Sequence, residues 1–164
     1  MTVSFTAFEI FEIAEQIERN GAKFYRGAAT ISADKSMQQF FTRLAAMEDN
    51  HEKIFADMRN SLQDETDDTK VFDPNNEMVY YLKAMAKSAG WEGKAVPQAE
   101  FTGSETPVQI IKTAIQAEKA SIDYYLGLKE FVSSSNGKKK VDGIIKEEMG
   151  HVVTLQKHLE QLGS

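Results

Sequence analysis

Residues 44–51 read Leu-Ala-Ala-Met-Glu-Asp-Asn-His, and residues 144–151 read Ile-Ile-Lys-Glu-Glu-Met-Gly-His. Each stretch places a glutamate three positions before a histidine, and the two stretches start 100 residues apart. On an α-helix, side chains at i and i+3 lie on the same face, about 5–6 Å apart at Cβ. The sequence therefore predicts two helices that carry the same Glu–His pair at equivalent points.

The same offset relates all the core-facing positions of four predicted helices, which follow a heptad a/d spacing. On the second and fourth helices these positions are Phe41, Leu44, Glu48, His51, Phe55, Met58 and Leu62, and Val141, Ile144, Glu148, His151, Leu155, His158 and Leu162. On the first and third they are Phe8, Phe11, Glu15, Glu18, Ala22, Tyr25 and Ala29, and Val108, Ile111, Ile115, Glu118, Ile122, Tyr125 and Lys129. We interpret the chain as a duplicated helical hairpin.

Helix periodicity and end signals set the boundaries. The predicted long helices are about residues 6–30, 34–62, 106–132 and 138–162, with a break at 133–137 and a stop at Gly163. Between the hairpins (about 6–62 and 106–162), a crossover of about 63–105 holds an acidic run at 63–68, a short helix at 76–89 and a loop at 91–105. Short-looped hairpins joined by one long crossover predict an all-α, antiparallel four-helix bundle, forming a single domain over residues 1–164.

Composition removes several classes of protein. The 164 residues include no cysteine, which excludes disulfide frameworks and thiolate metal sites. A net charge of −6 argues against a nucleic-acid partner. The sequence contains no run of eighteen apolar residues, so it predicts no membrane span, and residues 1–5 do not resemble a signal peptide. We therefore expect a soluble, cytoplasmic protein.

The polar exceptions at core-facing positions indicate chemistry. They are Glu18, Glu48, His51, Glu118, Glu148 and His151. Four carboxylates in an apolar core repel one another and lose solvation unless a cation neutralises them. A single Glu-x-x-His motif is often accidental, and a lone core histidine is usually structural. Two copies in one heptad phase instead predict two metal ions, held by one Glu from each of two helices and by Glu-x-x-His from each of the other two.

These residues give the chain a family resemblance. It resembles ferritin-like di-iron carboxylate proteins of the rubrerythrin branch, and it shares its ligand pattern with bacterioferritin. The matching stretches are residues 17–25, 44–51, 114–125 and 144–151. The resemblance implies two iron ions, with manganese or zinc as substitutes, and a ligand set that acts in catalysis through the metals.

By that resemblance, each metal has its own ligands and the two metals share a pair. Glu48 and Glu148 would bridge the two metals. Glu18 and His51 would complete the ligand set of one metal, and Glu118 and His151 that of the other. Tyr25 and Tyr125, seven residues after the terminal glutamates, would donate hydrogen bonds to ligand carboxylates; ordinary core aromatics are the alternative.

Two departures qualify the resemblance. Rubrerythrins carry a further Glu one turn after the third-helix ligand, whereas this chain has Ser121, with Gly21 as its repeat counterpart. Classical rubrerythrins also carry a four-cysteine rubredoxin module. This chain has no cysteine, so an external electron donor, such as a rubredoxin-type protein, is expected.

Three functions follow as hypotheses. The first is reduction of hydrogen peroxide or oxygen at a di-iron site, by a homodimer or small homo-oligomer. The second is a ferroxidase for iron storage or delivery, of bacterioferritin type. The third is a structural bundle holding zinc or manganese without turnover.

Other residues are interpreted as lying outside the site. We read Glu15 as a helix-surface residue (an alternate ligand or an ion-entry carboxylate being the alternative) and His158 as a partly buried histidine near the bundle end. Glu147 should point about 100° away from Glu148. The lysines 138–140 should form a solvated patch. Trp91 and the Tyr80-Tyr81 pair are expected to pack over the bundle or a second subunit.

Overall fold

A computed structural model describes residues 6–64, 75–88 and 101–163. Its helices are α1 (Ala7–Ile31), α2 (Lys35–Asp64), α3 (Glu77–Ser88), α4 (Pro107–Lys129) and α5 (Ser135–Gln161), with no strand among the described residues. The all-α class, the four long helices and the short crossover helix are therefore confirmed. The expectations for residues 1–5, for most of the acidic run and for Trp91 fall outside the described residues.

Local capping explains where the long helices begin. Thr6 caps α1 and forms a capping box with Glu9, and Thr106 caps α4 in the same way with Gln109. The break lies at residues 130–134 rather than 133–137: at its end, the Ser134 hydroxyl accepts a hydrogen bond from the Gly137 backbone N–H and starts α5 three residues earlier than predicted. The third long helix ends at Lys129 rather than near Val132, where the chain turns tightly.

The apolar core consists of two clusters, and the residues of one are the repeat counterparts of residues in the other. One includes Ile10, Phe11, Ala14, Phe55, Tyr124, Tyr125, Leu128, Val141 and Ile144. The other includes Ile110, Ile111, Ala114, Leu155, Phe24, Tyr25, Ala28, Phe41 and Leu44. Adding or subtracting 100 converts each of these residues into its counterpart in the other cluster. The two hairpins are thus related by an approximate two-fold axis that passes between the clusters.

Two equivalent glycines fix the crossover against the bundle. A Cβ on Gly127 of α4 would lie 2.6 Å from the Tyr81 ring of α3, and a Cβ on Gly27 of α1 would lie 2.8 Å from the Phe101 ring. Neither position accepts a side chain without a shift of its neighbour. The crossover therefore packs at one end into α4 and at the other into α1, with Leu82 of α3 fully buried in the core.

The outer surface agrees with most of the expectations for it. Lysines 138–140 are exposed, and His158 is partly buried with its ring 4.2 Å from the Phe40 ring, as expected. Tyr81 packs on the bundle and its hydroxyl donates to the Asp123 carbonyl at 2.7 Å, whereas Tyr80 is 65% exposed. None of the described helices is long and apolar enough to cross a membrane.

Glu15 is buried, so its interpretation as a surface residue is wrong. Its side chain is shielded because Arg59 of α2 covers it: Nε of Arg59 lies 2.7 Å from Oε2 of Glu15, and Nη2 donates to Oε1 at 3.1 Å. The guanidinium also stacks over the Phe8 ring at 4.9 Å. At the equivalent positions of the second hairpin, Ile115 and Leu159 are buried and apolar. One hairpin thus uses an ion pair where the other uses a hydrocarbon contact.

Replacing Glu15 and Arg59 by the apolar residue types of the second hairpin tests whether the ion pair can be exchanged for a hydrocarbon contact. Arg59→Leu alone should lower the free energy of unfolding by about 2 kcal/mol, because it leaves the Glu15 carboxylate buried without its partner. The double variant Glu15→Ile/Arg59→Leu should recover that loss, or exceed the parent by about 1 kcal/mol. Urea unfolding at a fixed metal content measures both changes. Arg19→Leu, which breaks the exposed pair with Glu52, is the control and should cost at most about 1 kcal/mol; a double variant as unstable as Arg59→Leu would contradict the account.

Candidate metal centre

Six ionisable side chains from the four long helices meet in a buried layer between the two apolar clusters. They are the six residues singled out from the sequence: Glu18 on α1, Glu48 and His51 on α2, Glu118 on α4, and Glu148 and His151 on α5. Each is at most 4% exposed. The sequence therefore placed all six correctly in the core, and the fold brings all six together.

The six residues form two overlapping groups of potential ligands. One group is Glu18, Glu48, His51 and Glu148; the other is Glu48, Glu118, Glu148 and His151. Within each group, one donor atom from every residue lies within 4.8 Å of the others. Opposite ligands of one metal lie about 4.2 Å apart at bond lengths of about 2.1 Å, so each group is close to coordination geometry. Glu48 and Glu148 belong to both groups, as bridging ligands must.

Unpaired buried atoms indicate that the centre fits metal ions. Among the described residues, five polar atoms of the cluster are buried without a hydrogen-bond partner: Glu18 Oε2, Glu48 Oε1, His51 Nδ1, Glu148 Oε1 and His151 Nε2. His51 Nδ1 lies 2.7 Å from Glu148 Oε1, but the two atoms are not aligned as a hydrogen bond. Buried polar groups left in this state are costly, and a cation bound between them would satisfy them.

The imidazoles hold the carboxylates together by charge when no metal is bound. His151 Nδ1 lies 3.2 Å from Glu48, 3.3 Å from Glu118 and 3.1 Å from Glu148. Burial on its own lowers the pKa of His151, but its contacts with these carboxylates outweigh burial and raise the pKa to about 12. Burial opposes protonation of His51 as well, and there Glu148 and Glu18 raise the pKa to about 11. Both rings therefore carry a positive charge at neutral pH.

The pKa values of the four carboxylates shift in different directions. Burial raises the pKa of Glu48 well above its usual range, and the charge of Glu18 adds to the effect. Burial and the neighbouring Glu48 raise the pKa of Glu148 to about 8. For Glu118, burial is outweighed by hydrogen bonds to Glu148 and His151, which lower its pKa. A proton is thus shared unevenly within the layer, because so many like charges cannot ionise together.

Two tyrosines link the hairpins through the cluster. The Tyr25 hydroxyl on α1 donates to Glu118 of α4, and the Tyr125 hydroxyl on α4 donates to Glu18 of α1. Burial raises the pKa of both hydroxyls well above the usual value, so they remain protonated donors. Each terminal glutamate is therefore oriented by the tyrosine of the other hairpin, a relation that counting along one helix does not reveal.

Glu147 contacts the cluster from outside, which corrects its exclusion on helical geometry. Its side chain is 51% exposed, yet its Oε2 lies 2.7 Å from Nε2 of the fully buried His51. Glu147 points away from the bundle axis but towards α2, where the ring of His51 meets it. The two adjacent acids at 147 and 148 were the available signal in the sequence.

A small cavity reaches the cluster between α1 and α4. Its volume is about 30 Å³, enough to hold at least one water molecule. Glu48, Glu118, Tyr25, Gly21 and Ser121 are among the residues that line it. A Cβ on Gly21 would lie 3.0 Å from Oε2 of Glu48, so a side chain at this position would crowd the carboxylate. The short residues at 21 and 121 thus leave room for a small molecule beside the cluster.

Metal binding should release protons, because imidazolium cannot coordinate. With the pKa of His51 at about 11 and that of His151 at about 12, loading two zinc ions at pH 7 should release about two protons or more. The product of the two binding constants should then rise by about a hundredfold or more per pH unit between pH 6 and 8. Isothermal titration calorimetry of the metal-free protein in buffers of different ionisation enthalpy measures the release. A heat that does not depend on the buffer would contradict the charged state of the histidines.

Comparison with known proteins agrees with the geometry. In the described helices the chain is similar to the solved structure of a Thermotoga maritima protein that has been proposed to be a ferritin-like di-iron carboxylate protein, with 21% sequence identity, a TM-score of 0.69 and 96% of each chain covered. At that identity, the likeness shows the fold. No curated protein sequence matches significantly. The family model Rubrerythrin matches residues 9–159, which include all six residues of the cluster, and the chain therefore belongs to the rubrerythrin family.

Proposed function

We propose that the cluster binds two iron ions and that the protein uses them to reduce hydrogen peroxide or oxygen. In this proposal Glu48 and Glu148 bridge the ions, Glu18 and His51 complete one position, and Glu118 and His151 complete the other. The observation that carries it is the pair of overlapping buried ligand groups. A carboxylate-rich site with one imidazole per metal is a ligand set that suits iron and manganese, and zinc less specifically.

Electron balance requires a donor outside this chain. Reduction of one hydrogen peroxide to two waters consumes two electrons and two protons. A bound iron pair would supply the two electrons by passing from the ferrous to the ferric state. Because the sequence has no cysteine, it holds no thiolate iron site that could return the electrons. We therefore infer an external reductant of the rubredoxin type.

The protein's own residues would supply negative charge to the metals and hydrogen bonds that hold the ligands in place. The four carboxylates offset the charge of the metals and, being buried, hold it in a medium where electrostatic interactions are strong. Tyr25 and Tyr125 fix the rotamers of Glu118 and Glu18 through hydrogen bonds to them. Burial raises the pKa of both hydroxyls, so they stay protonated near neutral pH and keep donating to these carboxylates.

Cavity size supports a very small substrate. A space of about 30 Å³ beside Glu48 and Glu118 accepts molecules the size of water, oxygen or hydrogen peroxide. This space fits peroxide or oxygen as the oxidant. We further propose a cytoplasmic protein that acts as a homodimer or small homo-oligomer.

The order of oxidant reactivity tests the function. Anaerobically reduced, iron-loaded protein mixed in a stopped-flow instrument with equal concentrations of each oxidant should be oxidised faster by hydrogen peroxide than by oxygen. Repeated additions of ferrous iron with oxygen should leave about two ferric ions per chain and no mineral core. Faster reaction with oxygen, together with iron accumulation, would instead establish a ferroxidase. A protein that retains only zinc after iron reconstitution would exclude both redox functions.

Gly21 provides a variant aimed at the cavity. Gly21→Ala places a methyl group 3.0 Å from Oε2 of Glu48 and fills part of the approach, so peroxide-dependent oxidation should slow by about tenfold. Gly143→Ala is the matched control, because it is also a helical glycine and its Cβ would meet no atom within 4 Å. Oxidation rates that fall equally in the two variants would show that the cavity is not the route.

A further inference from the structure

The two halves of the cluster differ in what supports their histidines. Nε2 of His51 lies 2.7 Å from the carboxylate of Glu147 on α5. The repeat places Met47 on α2 at the position equivalent to Glu147, 100 residues earlier. Met47 carries no charge, and its side chain is 37% exposed. One imidazole thus has a carboxylate behind it, whereas its counterpart has a thioether at the corresponding position.

His151 shows the effect of that difference. Its Nε2 is buried and has no hydrogen-bond partner among the described residues. Its Nδ1, by contrast, faces three carboxylates of the cluster. A carboxylate that accepts a hydrogen bond from the second N–H of a ligating imidazole fixes the tautomer and the ring orientation. It also makes the ring a more basic, stronger metal ligand. His51 has that support and His151 does not.

The cavity is the second, independent difference. Of the six cluster residues, it is lined by Glu48 and Glu118. Both belong to the ligand group that contains His151, and Glu118 belongs to that group alone. The group that contains His51 shares only Glu48 with the cavity wall. The less supported half of the cluster is therefore also the half that a small molecule reaches.

We propose that the two metal positions are unequal: the position between Glu18 and His51 binds its metal more tightly, and the position between Glu118 and His151 binds more weakly and receives the entering molecule. This inference rests on the proposed dinuclear site and goes beyond it, since the site would work formally with two equivalent positions. Glu147 acts in this arrangement as a positioning residue for His51. It is set apart from the metal ligands by its exposure and by its contact with the outer ring nitrogen.

A site-resolved metal titration tests the inequality without relying on activity. The full-length protein, stripped of metal by chelation and crystallised with one equivalent of Co²⁺, is measured at the cobalt absorption edge. The anomalous peak beside His51 should exceed the peak beside His151 by about tenfold in occupancy. Equal peaks, or a larger peak beside His151, would overturn the proposal while leaving the dinuclear site intact. No peak at either position, even with excess Co²⁺, would overturn the proposed function together with this inference.

Paired variants identify the cause of the inequality. Glu147→Gln should weaken Co²⁺ binding beside His51 by about tenfold and bring the two occupancies together. Met47→Glu adds the missing carboxylate on the other side and should raise occupancy beside His151, with circular dichroism confirming that the exposed substitution leaves the fold unchanged. Occupancies that remain at the parent ratio in both variants would overturn the role of Glu147.

An anion probe tests the second half of the proposal. Crystals loaded with two equivalents of Co²⁺ and soaked in azide should show azide in the cavity, next to the cobalt beside His151. Gly21→Ala should reduce that azide density and Gly143→Ala should not. Azide bound beside His51 instead would overturn the assignment of the entry position.

Discussion

Burial of four carboxylates in one layer is the constraint on which the rest of this structure depends. Glu18, Glu48, Glu118 and Glu148 are each at most 4% exposed, so bulk water solvates their charges poorly. Without metal, two imidazolium rings and shared protons offset them; with metal, the cations would. The long helices, the flanking apolar clusters and the tyrosine hydrogen bonds all serve to keep these charges close together and dry. A looser bundle would let water in and allow the carboxylates to separate.

Most of the architecture could be predicted because it repeats. The offset of 100 residues placed every member of the cluster and the two tyrosines on the correct helix faces. The features that escaped prediction depend on contacts between helices. The sequence predicts a surface position for Glu15, and only the packing of α2 on α1 shows that Arg59 covers it. Glu147 was excluded by its angle on α5, yet the ring of His51 reaches it from α2.

The space beside the cluster is explained by short residues at two positions where the chain departs from the rubrerythrin pattern. Where the family carries a further carboxylate after the third-helix ligand, this chain has Ser121, opposite Gly21. Both residues line the cavity; Gly21 has no side chain, and the Ser121 hydroxyl donates to the Ala117 carbonyl of its own helix. The volume that an extra ligand would occupy is therefore open. In the proposed function, the centre would lack that residue for ligand exchange and would leave the space to a small molecule.

The tyrosine hydrogen bonds have a consequence for the origin of such a centre. Because Tyr25 serves Glu118 and Tyr125 serves Glu18, one hairpin alone holds half of a site, and two identical hairpins would complete it as a symmetric pair. In a pair of separate, identical chains, every substitution appears twice, so both metals keep the same surroundings. Joining the copies by a crossover removes that obligation. Glu147 opposite Met47, and Glu15–Arg59 opposite Ile115–Leu159, are differences that a pair of identical chains could not accumulate.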